Sequence, residues 1–89
     1  MVFEYSEAKA ERNKEKHGVG FREAVTVFDD PLSELFDDLE HFDQEERLIL
    51  IGHSDAGRLL VVSFTERADA TRIISARQVT KREEKEYGE

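Results

Sequence analysis

The 89-residue sequence predicts an α+β domain, a small antiparallel sheet with helices packed on it, in the order β-α-α-(β)-β-β-β-α. Three observations carry this. Phe21, Ala24, Val25 and Phe28 fall at i, i+3, i+4 and i+7, the apolar stripe of an amphipathic helix. Arg47 to Arg77 then reads as three strands joined by short connections, the mark of an antiparallel meander. Thr80 and Glu83 have the spacing of a capping box that opens a last helix. The length predicts one domain, residues 1–89.

Taken in order, Val2–Tyr5 is a short strand with Phe3 and Tyr5 on one face. Ser6 is a suitable N-cap, and Glu7 in the first turn complements the helix dipole, so Glu7–Lys16 is a charged helix. Its apolar face is thin: Ala8, Ala10 and the stems of long side chains. Gly18 ends it as the left-handed residue. Asp29-Asp30-Pro31 stops the amphipathic helix, since the residue before proline leaves the helical region. Leu32–Phe36 is a possible edge strand. Arg47–His53, Arg58–Arg67 and Thr71–Arg77 are the three strands of the meander, with Ser54–Gly57 and Ala68–Ala70 as links. Alternation in the last of them puts Ile73, Ser75 and Arg77 on one face and Arg72, Ile74 and Ala76 on the other. The final helix runs to about Tyr87.

Charge is unevenly spread. The net charge is −8, but residues 1–28 hold five bases and five acids, residues 29–46 nine acids and no base, and residues 47–89 eight bases and seven acids. The acidity therefore lies in one connecting segment, which is either a solvated loop or a docking surface for a basic partner. With no cysteine, disulfides, thiolate catalysis and thiolate-ligated metals are excluded. No apolar run is long enough to span a bilayer, and no basic region precedes Val2, so neither membrane nor signal peptide is expected. His17, His41 and His53 lie on different elements and make no metal-ligand pattern; no metal and no cofactor are expected. Phosphate-binding and nucleophile-elbow motifs are absent. The remaining chemistry is a set of cations on or beside the meander: Arg47, Arg58, Arg67, Arg72, Arg77, Lys81, Arg82 and Lys85. They either bind phosphate, which the planar guanidinium fork suits, or are solvated or paired with Asp55, Glu66 and Asp69.

Nearly the whole chain resembles the BrnT toxin family. The likeness starts with Phe3-Glu4-Tyr5-Ser6-Glu7-Ala8-Lys9, Asn13, Lys16-His17-Gly18-Val19 and Phe21. It runs on through Glu23-Ala24, Val27-Phe28-Asp29-Asp30-Pro31, Glu45-Glu46-Arg47 and Ile51-Gly52-His53-Ser54. Gly57-Arg58-Leu59-Leu60-Val61-Val62, Thr65-Glu66-Arg67, Arg72-Ile73-Ile74-Ser75-Ala76-Arg77 and Thr80-Lys81-Arg82-Glu83 complete it.

The resemblance implies a RelE-like ribonuclease fold and the toxin half of a type II toxin–antitoxin pair: a cytoplasmic, metal-free endoribonuclease that inhibits translation. The implied partners are RNA and a BrnA-like ribbon-helix-helix antitoxin, with operator DNA reached only through that antitoxin. A different class of function, a non-catalytic antitoxin-binding co-repressor subunit, stays open beside it. On the catalytic reading Arg67 and Arg77 clamp phosphate, with Arg58 a third cation. Lys81 and Arg82 grip flanking phosphates. His17 is an acid or base, or else a residue held by the last carbonyls of its helix. Glu66 is a base, or a partner of Arg67 or Arg72. Tyr87 stacks on a base or fills the core. The acidic segment, with Asp37, Asp38, Glu40 and Asp43, is expected at or beside the antitoxin interface and away from RNA. One departure from the family stands out: Glu84, Glu86 and Glu89 dilute the basic last helix.

Overall fold

The computed structural model describes residues 1–39 and 46–87. They form β1 (Phe3–Glu4), α1 (Glu7–His17), α2 (Phe21–Thr26), a 3-10 turn (Val27–Asp29), β2 (Glu34–Asp37), β3 (Leu48–His53), β4 (Leu59–Arg67), β5 (Ala70–Gln78) and α3 (Lys81–Tyr87). The five strands make one sheet in the order β1-β5-β4-β3-β2. The meander is antiparallel as expected, and β2 extends it antiparallel to β3. The expectation of a wholly antiparallel sheet needs correcting, because β1 pairs parallel to β5 through Phe3–Thr71 and Glu4–Arg72. Two residues of pairing leave no trace in a hydrophobic pattern, so nothing in the sequence marks their direction. The edge strand expected at Leu32–Phe36 lies two residues later at its start, leaving Leu32 exposed.

Local chemistry sets the element ends. The Ser6 hydroxyl accepts from the Lys9 amide, and Gly18 takes φ 72° while its N–H donates to the Lys14 carbonyl. Thr80 and Glu83 form a reciprocal box: the Thr80 amide donates to Glu83 and the Glu83 amide to the Thr80 hydroxyl, at 2.8 and 3.1 Å. Among the described residues no helix is long and apolar enough to cross a membrane.

The core lies between one sheet face and the helices. Phe21, Ala24 and Val27 pack with Val19 against Leu50, Leu60, Val62, Phe64, Ile73 and Ala76. Val27 enters because the chain tightens into a 3-10 turn after Thr26; Val25 and Phe28 are only partly buried. Phe28 sits edge-on between Phe3 and Phe64, at ring-centroid distances of 4.9 and 5.0 Å. Gly52 is required by close approach: a Cβ there would lie 2.8 Å from Ser33 Cβ and 3.1 Å from Val27 Cγ1.

Candidate functional site

The strand β5 does not keep strict alternation. Its register with β4 runs Ser63–Ser75 and then Phe64–Ile73, so Ile74 is an extra residue, a bulge. The bulge turns the following residues over. Ile73 and Ala76 both enter the core although they are three apart, and Arg72 and Arg77 come to the same, outer face. The expectation that these two arginines point apart is thereby corrected. Arg67, two residues beyond Thr65, which pairs with Arg72, shares that face. The outer face of β4–β5 thus carries Arg67, Arg72 and Arg77 and leads into the first turn of α3, where Lys81 and Arg82 are exposed.

Arg77 is held in one orientation. Its Nη1 and Nη2 donate to Glu83 Oε1 and Oε2, both at 2.8 Å, and Nη1 also donates to the Gln78 carbonyl at 3.2 Å. These bonds use the end of the guanidinium plane. The Nε–H and the second Nη2–H, which share one side edge of the fork, make no bond among the described residues. That edge matches one bidentate phosphate. The bond from Arg77 holds the Glu83 carboxyl down at about 2, aided by the Thr80 amide, and Glu83 in turn raises the Arg77 pKa. Both partners are therefore fully charged at neutral pH.

A groove runs beside this strand. Lys9, Arg12, Asn13, Lys16 and His17 of α1 line one wall, and Ile74 and Ser75 of β5 the other. It brings His17 to the stretch of β5 that lies between Arg72 and Arg77 in the chain.

The other expected residues are placed differently. Arg58 is a structural clamp: Nε donates to Glu23 Oε2 at 3.0 Å, and Nη2 donates to Glu23 Oε1 and to the Gly18 carbonyl. The Ser54 hydroxyl also donates to Glu23, at 2.6 Å. Arg58, followed by Ser54, lowers the Glu23 pKa. This cluster ties the end of α1, the start of α2 and the β3–β4 turn together. Glu66 lies on the opposite sheet face from the arginines and accepts from the Thr71 hydroxyl at 3.3 Å. Arg72 pairs with Glu4 at 3.6 Å. None of Arg58, Arg72 and Arg77 pairs with Asp55, Glu66 or Asp69, the acids adjacent in sequence; their partners Glu23, Glu4 and Glu83 come from other elements. The Tyr87 side chain, Glu40, His41 and Asp43 lie outside the described residues. Among the described residues no three His, Asp or Glu side chains are grouped to hold a metal ion. Nor are the acids all spare: Asp30 accepts the His53 and Leu32 amides, which lower its pKa, and Asp38 is buried.

Sequence reasoning missed Glu83 as the orienter of Arg77, having read it only as a capping residue. It also missed Lys9, Arg12 and Lys16, although their spacing on one helix face was visible.

The family model described as "Ribonuclease toxin, BrnT, of type II toxin-antitoxin system" matches residues 5–83. Among solved structures, the 1.1 Å crystal structure of the Brucella abortus ribonuclease toxin BrnT matches with a TM-score of 0.69 and 21% identity. The match covers 91% of this chain and 100% of that one. No curated protein matches.

Proposed function

The chain belongs to the BrnT family of ribonuclease toxins of type II toxin–antitoxin systems, and on that premise we propose that it cleaves RNA without a metal ion, through Arg77 and His17. The substrate supplies its own nucleophile. The 2′-oxygen bonds to the adjacent phosphorus as the bond to the 5′-oxygen breaks. One proton leaves the 2′-hydroxyl, another is delivered to the 5′-oxygen, and a 2′,3′-cyclic phosphate remains. The protein must hold this geometry, offset the charge growing on the phosphoryl oxygens and move the two protons. The observation that carries the reading is the Arg77 fork, fixed by Glu83 with one edge open on the outer face. Arg67 is the second clamp, Lys81 and Arg82 contact flanking phosphates, and His17 in the neighbouring groove exchanges protons.

The test uses a defined RNA and the same RNA carrying a single 2′-deoxy sugar at the cleaved position. Cleavage is expected in the first and blocked in the second, with a cyclic phosphate on the 5′ fragment and no effect of EDTA. Cleavage of the deoxy substrate, or inhibition by the chelator, would reject the mechanism.

A type II system implies an antitoxin. We take it to be a basic, BrnA-like ribbon-helix-helix protein that reaches operator DNA and meets the acid-rich segment 29–46. Replacing Asp37, Glu40 and Asp43 with Asn or Gln should slow association at low salt and flatten its salt dependence, because long-range attraction is what salt screens. Unchanged association rates in that variant would remove the segment from the interface.

A further inference from the structure

The helix α1 gathers most of its bases on one face. At about 3.6 residues per turn, Glu7, Glu11 and Glu15 fall on one side together with Lys14, and Lys9, Arg12, Lys16 and His17 on the other. The basic side surrounds Asn13, which is buried against β5. A helix laid on a sheet usually carries apolar residues at such positions. Here three of them, Lys9, Arg12 and Lys16, are cations, and with His17 they form the α1 wall of the groove along Ile74 and Ser75. Among the described residues no carboxylate lines that groove. Among the described residues Lys9, Arg12, Lys16 and His17 take part in no ion pair.

Helix electrostatics does not account for the stripe. Lys16 and His17 complement the negative end of the dipole, but Lys9 stands in the first turn, where a cation is disfavoured. Like charges on one face also repel. In a chain of net charge −8, three cations without an ion-pair partner, Lys9, Arg12 and Lys16, share one concave surface with His17. A polyanion is the ligand that such a surface fits. The groove borders β5 between Arg72 and Arg77 and so adjoins the arginine face.

We propose that the α1–β5 groove is a track for the phosphate backbone of single-stranded RNA, with Lys9, Arg12 and Lys16 contacting phosphates that flank the cleaved one. The identity of the polyanion rests on the ribonuclease reading. Contacts of this kind position a strand without reading its bases.

The experiment measures binding apart from cleavage. A fluorescent, fully 2′-O-methylated RNA oligonucleotide is titrated with the whole protein over a salt series, comparing wild type with K9Q/R12Q/K16Q. Glutamine keeps the helix and most of each stem, and the thermal midpoint checks the fold. Each single-strand phosphate contact adds about 0.7 to the slope of log affinity against log salt, so loss of three should make the slope shallower by about 2. The mirror variant E7Q/E11Q/E15Q should show no shallower slope. An unchanged slope in K9Q/R12Q/K16Q would overturn the proposal. So would an unchanged slope together with lost capture by the antitoxin, which would make the groove a protein interface. Because the probe cannot be cleaved, a shallower slope in a protein that fails to cut unmodified RNA would uphold the groove and condemn the cleavage reading alone.

Discussion

Replacing Arg77 with alanine is expected to lower RNA cleavage by roughly 10²–10³-fold, the usual effect of removing one donor aimed at charge that develops in the transition state. The fold should survive. Arg77 and Glu83 keep 39% and 30% of their side-chain surface exposed, so water can solvate Glu83 once its partner is gone. Lysine at this position should restore only part of the activity, since it keeps the charge but cannot serve Glu83 and a phosphate from two edges of one plane. Arg67→Ala, tested in the same assay, should show a loss in the same direction. The pH dependence follows from the direction of the Glu83 shift. Its folded pKa lies below the ordinary carboxylate value, so the pair's contribution is complete above that value and fades as pH falls toward about 2. Glu83 therefore does not titrate near neutrality, and any break in the rate profile between pH 5 and 8 belongs to another group. Single-turnover cleavage with thermal midpoints measured alongside decides the matter. An Arg77→Ala protein that cuts RNA within a few-fold of wild type would remove Arg77 from the chemistry.

The arginine face shows how far the sequence could be read. Element types follow from periodicity and caps: Ser6, Gly18 and the Thr80–Glu83 box all act at the positions their spacing predicts. What periodicity cannot supply is a bulge. One extra residue at Ile74 inverts the parity of everything after it, so a residue-by-residue alternation from Thr71 assigns Arg77 to the wrong face. Only the structure shows the bulge, in Ile73 and Ala76, which cannot both be core residues of an unbroken strand. Ion pairs were illegible for a different reason. Arg58 with Glu23 and Arg72 with Glu4 join segments far apart in the chain, and pairing by sequence proximity picks the wrong acids. The basic face of α1 was legible in principle, because a helix projection places Lys9, Arg12 and Lys16 on one side without any tertiary information.

Asn13 was legible only as a member of the family pattern, and its substitution carries the largest expected effect on stability. Among the described residues the strand β1 covers β5 only at Thr71 and Arg72, and no strand lies beside the later backbone of β5 on that side. Asn13 takes the place of the missing strand. Its Nδ2 donates to the Ala76 and Val19 carbonyls, both at 2.8 Å, and its Oδ1 accepts from the Ala76 amide at 3.2 Å. The residue is 7% exposed, so these groups have little access to water. Asn13→Ala strands two carbonyls and an amide at about 1–3 kcal/mol each, with incomplete additivity, for a total on the order of 3–4 kcal/mol. A domain of this size has about 5–15 kcal/mol to lose, and each kcal/mol moves the melting temperature by roughly 4–8 °C. A fall on the order of 15 °C or more is expected by calorimetry. Asn13→Asp separates hydrogen bonding from shape. The carboxylate is nearly isosteric but turns an acceptor toward two carbonyls, so at neutral pH it should destabilise at least as much as alanine. Protonation restores one donor. The aspartate pKa is thus raised on folding, and the variant should regain stability relative to alanine as pH falls through that raised value. An Asn13→Asp protein as stable as wild type at pH 7 would show that the carboxamide does not close the edge of β5.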